Sequence, residues 1–247
     1  MNEQAAPGTE DAFAFGHDQI LELLSPPAAS FTVSGVVTSS SADVAVLRLL
    51  DGRTATLPVT EFYPNRRFSV GARYHLACSD ATSPRPLVSA LNPELIDLLA
   101  AGVVPELRDG LVRVVRVARQ PGIRSKVAVA STQPGVDAVG AFIGRAANRV
   151  QTLSKLLHGE RLDIIAFSPD IEVFVRNALG VSVTSVVSTE RVLQIRVPDH
   201  QFEAAVGGGG MNALLTAKLI GRRISILPDS APEAHTEPVE PVDPASN

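Results

Sequence analysis

Tryptophan is absent from the 247 residues, and aromatic side chains make up only 4% of the chain. That leaves little material for a binding surface led by ring stacking. A single cysteine, Cys78, excludes an internal disulfide and any cysteine-based zinc cluster, and its expected role is a small buried hydrophobe. No apolar run approaches the roughly 20 residues that cross a bilayer. The first residues, MNEQAAPGTEDAFAFG, lack the basic start of a secretory signal. The expectation is a cytoplasmic protein with no membrane association. The five histidines show no metal-ligand spacing, and HExxH, P-loop and nucleophile-elbow patterns are missing. Asp163, Asp170 and Glu172 read as salt-bridging or capping acids. No enzyme, no metal and no cofactor are expected.

Basic residues are missing from both ends. Residues 1–30 hold five acids and no Lys or Arg, and residues 228–247 hold five more acids and again no base. The chain's net charge of −4 therefore hides a basic body: residues 31–227 carry 22 bases against 16 acids. Within it, 31–104 is neutral, 105–182 carries +4 and 183–227 carries +2. A basic body between acidic ends suits a polyanionic partner. With 45% apolar residues the body can bury a sizeable core divided among small domains.

Residues 1–30 contain one short helical candidate, Asp18-Gln-Ile-Leu-Glu-Leu-Leu24, closed by Pro26 and Pro27; the segment is otherwise expected to be disordered. The tail from 228 is rich in proline and acid, with almost nothing to bury, and reads as disordered too. Between them, 31–91 alternates in short runs: Phe31–Val37, Asp43–Leu50, Arg53–Leu57, Gly71–Cys78 and Pro86–Ser89, with a tight hairpin at Asp51-Gly52. Five short strands in so few residues suggest a small barrel of the OB-fold kind. A helix is expected over 93–101. From 111 the pattern becomes mixed: strands at 111–118, 126–131 and 161–167, with helices at 137–143 and 148–158. The order then recurs: after a helix at 170–178 come strands at 183–188, 191–197 and 223–227, with helices at 200–206 and 211–220. Strand, strand, helix, glycine-bearing turn, helix, strand is thus repeated once.

The turns between paired helices are the informative places. Gly144-Arg145-Ala146-Ala147 in the first unit and Gly207-Gly208-Gly209-Gly210 in the second occupy the position of a GXXG loop. There the missing side chains let a nucleic-acid backbone approach, and N–H groups at the next helix start can face its phosphates. The second loop fits that pattern fully and the first only in its first half. Ala147 is expected to take helical backbone angles without strain. Arg124, Lys126, Arg145, Asn148 and Arg149 gather around the first loop, and Asn212, Lys218 and Arg222 around the second. With the loop residues Gly144 and Gly207, Gly208, Gly209 and Gly210, these are the candidate RNA-binding residues.

Several stretches resemble the NusA family of bacterial transcription factors. Leu57-Pro-Val-Thr-Glu61 and Asn92-Pro-Glu-Leu95 resemble its S1-type barrel and exit helix, and Val104-Pro-Glu-Leu107 the link that follows. Pro121-Gly-Ile-Arg-Ser-Lys-Val-Ala-Val129 resembles the entry to its first KH domain. Asp163-Ile-Ile165 and Phe174-Val-Arg-Asn-Ala-Leu179 resemble the junction of its two KH domains. Val197-Pro-Asp-His-Gln201 and Ala217-Lys-Leu-Ile-Gly221 are similar to its second KH domain. The resemblance implies an α+β multidomain protein: an OB-fold (S1-type) β-barrel with its exit helix (31–104), followed by two tandem type II KH domains (105–180 and 181–227). It implies single-stranded RNA, a nascent transcript, as partner, and action on transcription elongation, pausing, termination or antitermination. RNA polymerase or other transcription factors are further implied partners. The sequence departs from the family in several places: no polymerase-binding domain is expected in the acidic 30-residue segment before the barrel, Ala147 stands for a glycine, Gly208 and Ala213 stand where basic residues are usual, and Ala90 replaces an arginine. An alternative is a protein-interaction module whose KH surfaces no longer grip RNA.

Overall fold

The computed structural model describes residues 30–232 apart from 65, 81, 190 and 191. The helical candidate at 18–24 and the tail beyond 232 lie outside the described residues. Alternating apolar positions form β1 (Phe31–Ser40), β2 (Val44–Leu49), β3 (Thr54–Pro58), β4 (Arg73–Cys78) and β5 (Val88–Ser89), in the sheet order β3-β2-β1-β4-β5. A parallel bridge from Thr56 to Leu87 and the bond from Thr56 N–H to the Pro86 carbonyl (3.0 Å) bring the two edges together, so the sheet is a nearly closed barrel. Leu47, Leu57, Leu76, Val88, Phe62 and Tyr74 fill it, with Cys78 buried among them. Gly35 is required inside: a Cβ there would sit 3.0 Å from the Leu49 Cδ2 and 3.1 Å from the Leu47 Cβ. The hairpin at Asp51-Gly52 forms, with Gly52 at φ +87° and the Asp51 carboxylate accepting the Arg53 N–H.

Helix α1 (Glu94–Val103) leaves the barrel and a short α2 (Pro105–Arg108) follows. Leu95, Ile96, Leu99 and Ala100 bury one face of α1. Next come β6 (Val112–Gln120), β7 (Arg124–Ser131), α3 (Ala138–Ile143), α4 (Asn148–Leu156) and β8 (Arg161–Ala166). β6 runs antiparallel to β7, and β7 runs parallel to β8, a pairing that needs the crossover α3–loop–α4 to return the chain. Helix α5 (Ile171–Leu179) leads into a second unit: β9 (Ser185–Ser188), β10 (Leu193–Val197), α6 (Phe202–Val206), α7 (Met211–Ile220) and β11 (Ile224–Pro228). β10 is antiparallel to β9 and parallel to β11, so both three-stranded sheets have one plan. As expected of a capping acid, Asp170 starts α5 by accepting the Glu172 and Val173 N–H groups. The helix expected over 200–206 is divided into a single turn at Asp199–Gln201 and α6 proper.

The first sheet is buried on both faces. Val112, Val127, Val129 and Leu162 pack on Phe142, Leu153, Leu157 and α1. The opposite face, Ala118, Ala128 and Ile165, packs on α5 and α7 of the second unit. Two cations of the first sheet reach across that contact to helix ends. Lys126 Nζ donates to the Ala178 carbonyl (2.6 Å), and Arg116 Nη1 donates to the Ile220 carbonyl (2.9 Å). Carbonyls in the last turn of a helix lack intrahelical donors, and both cations supply one. Inside the first unit, Arg119 on β6 pairs with Glu160 just ahead of β8, only 2% and 0% exposed at their side chains. Arg119 also donates to the Asn92 carbonyl, and the Gly122 N–H and Ser125 hydroxyl complete the Glu160 carboxylate. Removing one partner would leave the other charge buried and alone, at a cost of about 3–5 kcal/mol.

Candidate nucleic-acid interface

The two helix-pair turns have one backbone conformation. Gly144 lies at φ/ψ 72°/172° and Gly207 at 74°/162°. Ala146 (50°/33°) matches Gly209 (59°/23°), and Ala147 (60°/21°) matches Gly210 (75°/10°). In each turn the fourth residue's N–H bonds the first residue's carbonyl. The expectation for Ala147 is therefore corrected: it sits in the left-handed region, as does Ala146. An L-residue there brings its Cβ against the following carbonyl, which costs roughly 1–2 kcal/mol. The first turn holds a glycine backbone with two alanines in it.

The opening glycine is indispensable in both turns, because the following helix lies against it. A Cβ on Gly144 would fall 2.6 Å from the Arg149 Cγ, and one on Gly207 would fall 2.8 Å from the Asn212 Cβ. Gly208, Gly209 and Gly210 face open space. Gly208, without a left-handed φ, is the one glycine of that loop where a side chain would fit without strain. The turns lead directly into α4 and α7, whose first N–H groups have no intrahelical acceptor and, among the described residues, no side-chain cap. Exposed N–H groups beside glycine backbone form a surface that accepts an anion closely.

The candidate side chains divide into those that face outward and those committed to the fold. Arg145 and Asn148 are exposed in and beside the first turn, and Lys218 is exposed on α7. Arg149 is half-buried: its Nη1 donates to the Ala141 carbonyl at the end of α3 (2.6 Å) and pairs with Glu106 (2.8 Å). Asn212 takes the equivalent place in the second unit, five residues after the opening glycine. It is 3% exposed, and its Nδ2 donates to the Leu179, Ala204 and Ala205 carbonyls. Both residues fasten a helix pair together. Lys126 is 2% exposed, spent on Ala178 and, at 3.5 Å, on Asp163. Burial drives its ammonium down to about 8, with Asp163 opposing the shift. Arg124 is held by Asp163 at 2.6 Å. Arg222 donates to the Ser188 hydroxyl and the Thr189 carbonyl. Sequence spacing brought these cations together on paper; the fold turns several of them inward.

Sequence reasoning passed over a second set. Arg66 and Arg67, a basic pair legible in the sequence, line a cleft of about 500 Å³ on the barrel with Ser40, Ser41 and Phe68. A smaller cleft, about 370 Å³, lies beside the second turn between Phe202, Val206, Gly207 and Gly208. Among the described residues no group of His, Cys, Asp and Glu could hold a metal ion, and no helix is long and apolar enough to cross a membrane.

Residues 91–167, which hold β6, β7, β8 and the first turn, match the family model of a NusA-like first KH domain. Curated relatives match further in both directions. The transcription termination/antitermination protein NusA of Mycobacterium tuberculosis is 38% identical over 192 residues, covering 74% of this chain and 55% of that protein. That of Halalkalibacterium halodurans is 39% identical over 183 residues, covering 71% and 48%. That of Thermus thermophilus is 35% identical over 196 residues, covering 76% and 51%. The chain belongs to the NusA family. It spans about half the length of the curated NusA proteins it matches. Its first unit, with the sheet β6-β7-β8 and the turn at Gly144, is the KH domain of the family model.

Proposed function

We propose that this NusA-family chain binds single-stranded RNA with two tandem type II KH domains and the S1-type barrel, and that it acts on transcription elongation, pausing, termination or antitermination. The shared backbone of the two turns carries the reading: the second unit repeats, at Gly207–Gly210, the dihedral angles of the turn inside the matched KH domain. An identical sheet plan around it supports the same assignment. Contact with the strand is led by Arg145, Asn148 and Lys218 as outward side chains, by Gly207–Gly210 through backbone, and by Arg66 and Arg67 on the barrel. A nascent transcript is the expected RNA and RNA polymerase a further partner, in the cytoplasm; the protein acts by binding rather than by catalysis.

A second reading, a protein-interaction module that has lost its grip on RNA, draws on the strained alanines at 146 and 147 and on Gly208, which presents no cation. One titration separates the two. Affinity for a single-stranded RNA 12-mer, measured by fluorescence anisotropy at two salt concentrations, falls steeply with salt if phosphates are neutralised. Arg145→Gln then reduces the logarithmic salt slope by about 0.7, one single-strand phosphate contact. Salt-independent or undetectable binding would overturn the RNA reading and leave the second in its place.

A further inference from the structure

A third cleft, of about 500 Å³, opens where the ends of the first sheet's strands meet the start of α3. It is lined by Arg113 from β6, Val129 and Ser131 from β7, Asp137 ahead of α3, and Phe167 and Pro169 beyond β8. None of these residues belongs to the turns described above. The cleft lies at the other end of α3 from Gly144, about 9 Å away at 1.5 Å per helical residue. A strand held at the first turn can reach it within a few nucleotides.

Three features give the cleft a chemistry. Arg113 lines the cleft, and its Nε is buried with no hydrogen-bond partner, so the chain itself leaves that donor unmet. Asp137 stands on the same cleft, one carboxylate oxygen accepting the Gly140 N–H, and no ion pair links it to Arg113 among the described residues. Phe167, packed edge-on against Phe174, presents an aromatic surface in a chain with few of them. One cation and one anion on apolar walls do not favour a simple anion such as an acidic peptide side chain. They favour a flat, neutral ligand that carries acceptors and donors together. We infer that this cleft is a subsite for one unpaired nucleobase, stacked on Phe167, with Arg113 donating to its acceptors and Asp137 accepting from its N–H groups. Guanine, with acceptors at N7 and O6 and donors at N1 and N2, matches both ends. This inference rests on the RNA-binding reading for its biological context, but the cleft can be tested apart from it.

The decisive measurement is a titration of the full, isotope-labelled chain with each of the four nucleoside 5′-monophosphates, reading the Arg113 Nε–H resonance by NMR. GMP is expected to move that resonance at lower concentrations than AMP, CMP or UMP, and in Arg113→Ala the GMP-dependent shifts of the backbone amides of Ser131 and Phe167, which line the same cleft, should be lost. A resonance indifferent to all four, or moved equally by all four, would overturn the assignment. In parallel, RNA 12-mers differing by one guanine are compared on wild type and Arg113→Ala. Wild type should prefer the guanine-bearing strand by about tenfold, the worth of one good base contact at about 1.4 kcal/mol, and Arg113→Ala should abolish the preference while leaving the salt slope intact. Retained preference in Arg113→Ala overturns the subsite. A chain that shows the GMP response but binds no 12-mer keeps the subsite and rejects the RNA-binding function instead. Phe167→Leu, which removes the ring but keeps an apolar side chain against Phe174, serves as the second variant and should weaken GMP binding without unfolding the domain.

Discussion

At the scale of single residues, charge and access come apart. Lys126 and Arg145 are both basic residues of the first unit, yet one is buried on a helix end and the other is exposed. Lys126→Met should therefore leave RNA affinity unchanged within twofold, whereas Arg145→Gln should lower it; equal losses in the anisotropy titration would show that Lys126 contacts RNA. The same logic makes Arg149 an unsuitable probe of RNA contact. Arg149→Glu would break its bond to Ala141 and set two acids, positions 149 and 106, against each other, so any loss of RNA binding would be mixed with damage to the α3–α4 pair. Ala146 and Ala147 allow a test of backbone strain. Glycine at both removes the left-handed penalty while adding unfolded-chain entropy. The double variant should gain about 1 kcal/mol in urea unfolding, and a loss would mean the alanines are not strained. Gly144→Ala should go the other way by several kcal/mol, because its Cβ has no space beside Arg149 and Asn148.

At the scale of elements, the barrel and the first unit meet through rings and a histidine. The His158 ring lies 4.6 Å from that of Tyr74 and 5.6 Å from that of Tyr63, and the Arg66 guanidinium donates to its backbone carbonyl. Burial, and then the nearby Arg66 and His75, hold His158 below its ordinary value. Its Nε2 is buried without a partner, as is the Tyr63 hydroxyl. A folded-state value below the unfolded one means the fold disfavours the proton. The stability this contributes is present above the ordinary pKa of about 6.5 and is lost as pH falls through that value toward the folded one. Thermal unfolding followed between pH 7.5 and 5 should thus show Tm falling, with a smaller fall in His158→Phe. A histidine variant that tracks wild type over the whole range would place the pH dependence elsewhere; His75, lowered by burial and by Arg73, is the other group at this joint.

For the whole molecule, the interfaces argue for one semi-rigid body. The second core is shared between the first sheet and the helices of the second unit, and Arg119 of the first unit, held by Glu160, donates to the Asn92 carbonyl between the barrel and α1. Separating the units would expose Ala118, Ala128 and Ile165 and strip two helix ends of their cationic caps. Small-angle scattering should fit a single rigid arrangement of residues 30–232; a profile that needs independently moving domains would contradict these contacts. The acidic ends are a separate expectation from charge alone. Five acids precede residue 31, five follow residue 227, and the body between carries 22 bases against 16 acids. At low salt a 31–227 fragment should bind RNA more tightly than the full chain, with the difference fading once the screening length falls to about 8 Å. Equal affinities at low salt would dismiss competition by the ends.

The sequence by itself determined the local structure and the repeat. Alternation over 31–91 places the five strands, Asp51-Gly52 the hairpin and Asp170 the start of α5, because each depends on residues within a few positions of one another. The order of strands and paired helices, written twice, is legible for the same reason. Tertiary structure alone decided which cations face water, since that depends on what packs across the sheet from elsewhere in the chain. Lys126 meets Ala178, 52 residues away, and Arg116 meets Ile220, 104 residues away. Arg113 acquires its cleft only when Asp137 arrives from the start of α3 and Phe167 from the end of β8. It also decided the backbone of Ala146 and Ala147. Intrinsic propensity favours right-handed angles for alanine, but the packing of α4 against α3, fastened by Arg149, fixes how the turn must close, and two local preferences yield to the contacts of a whole helix pair.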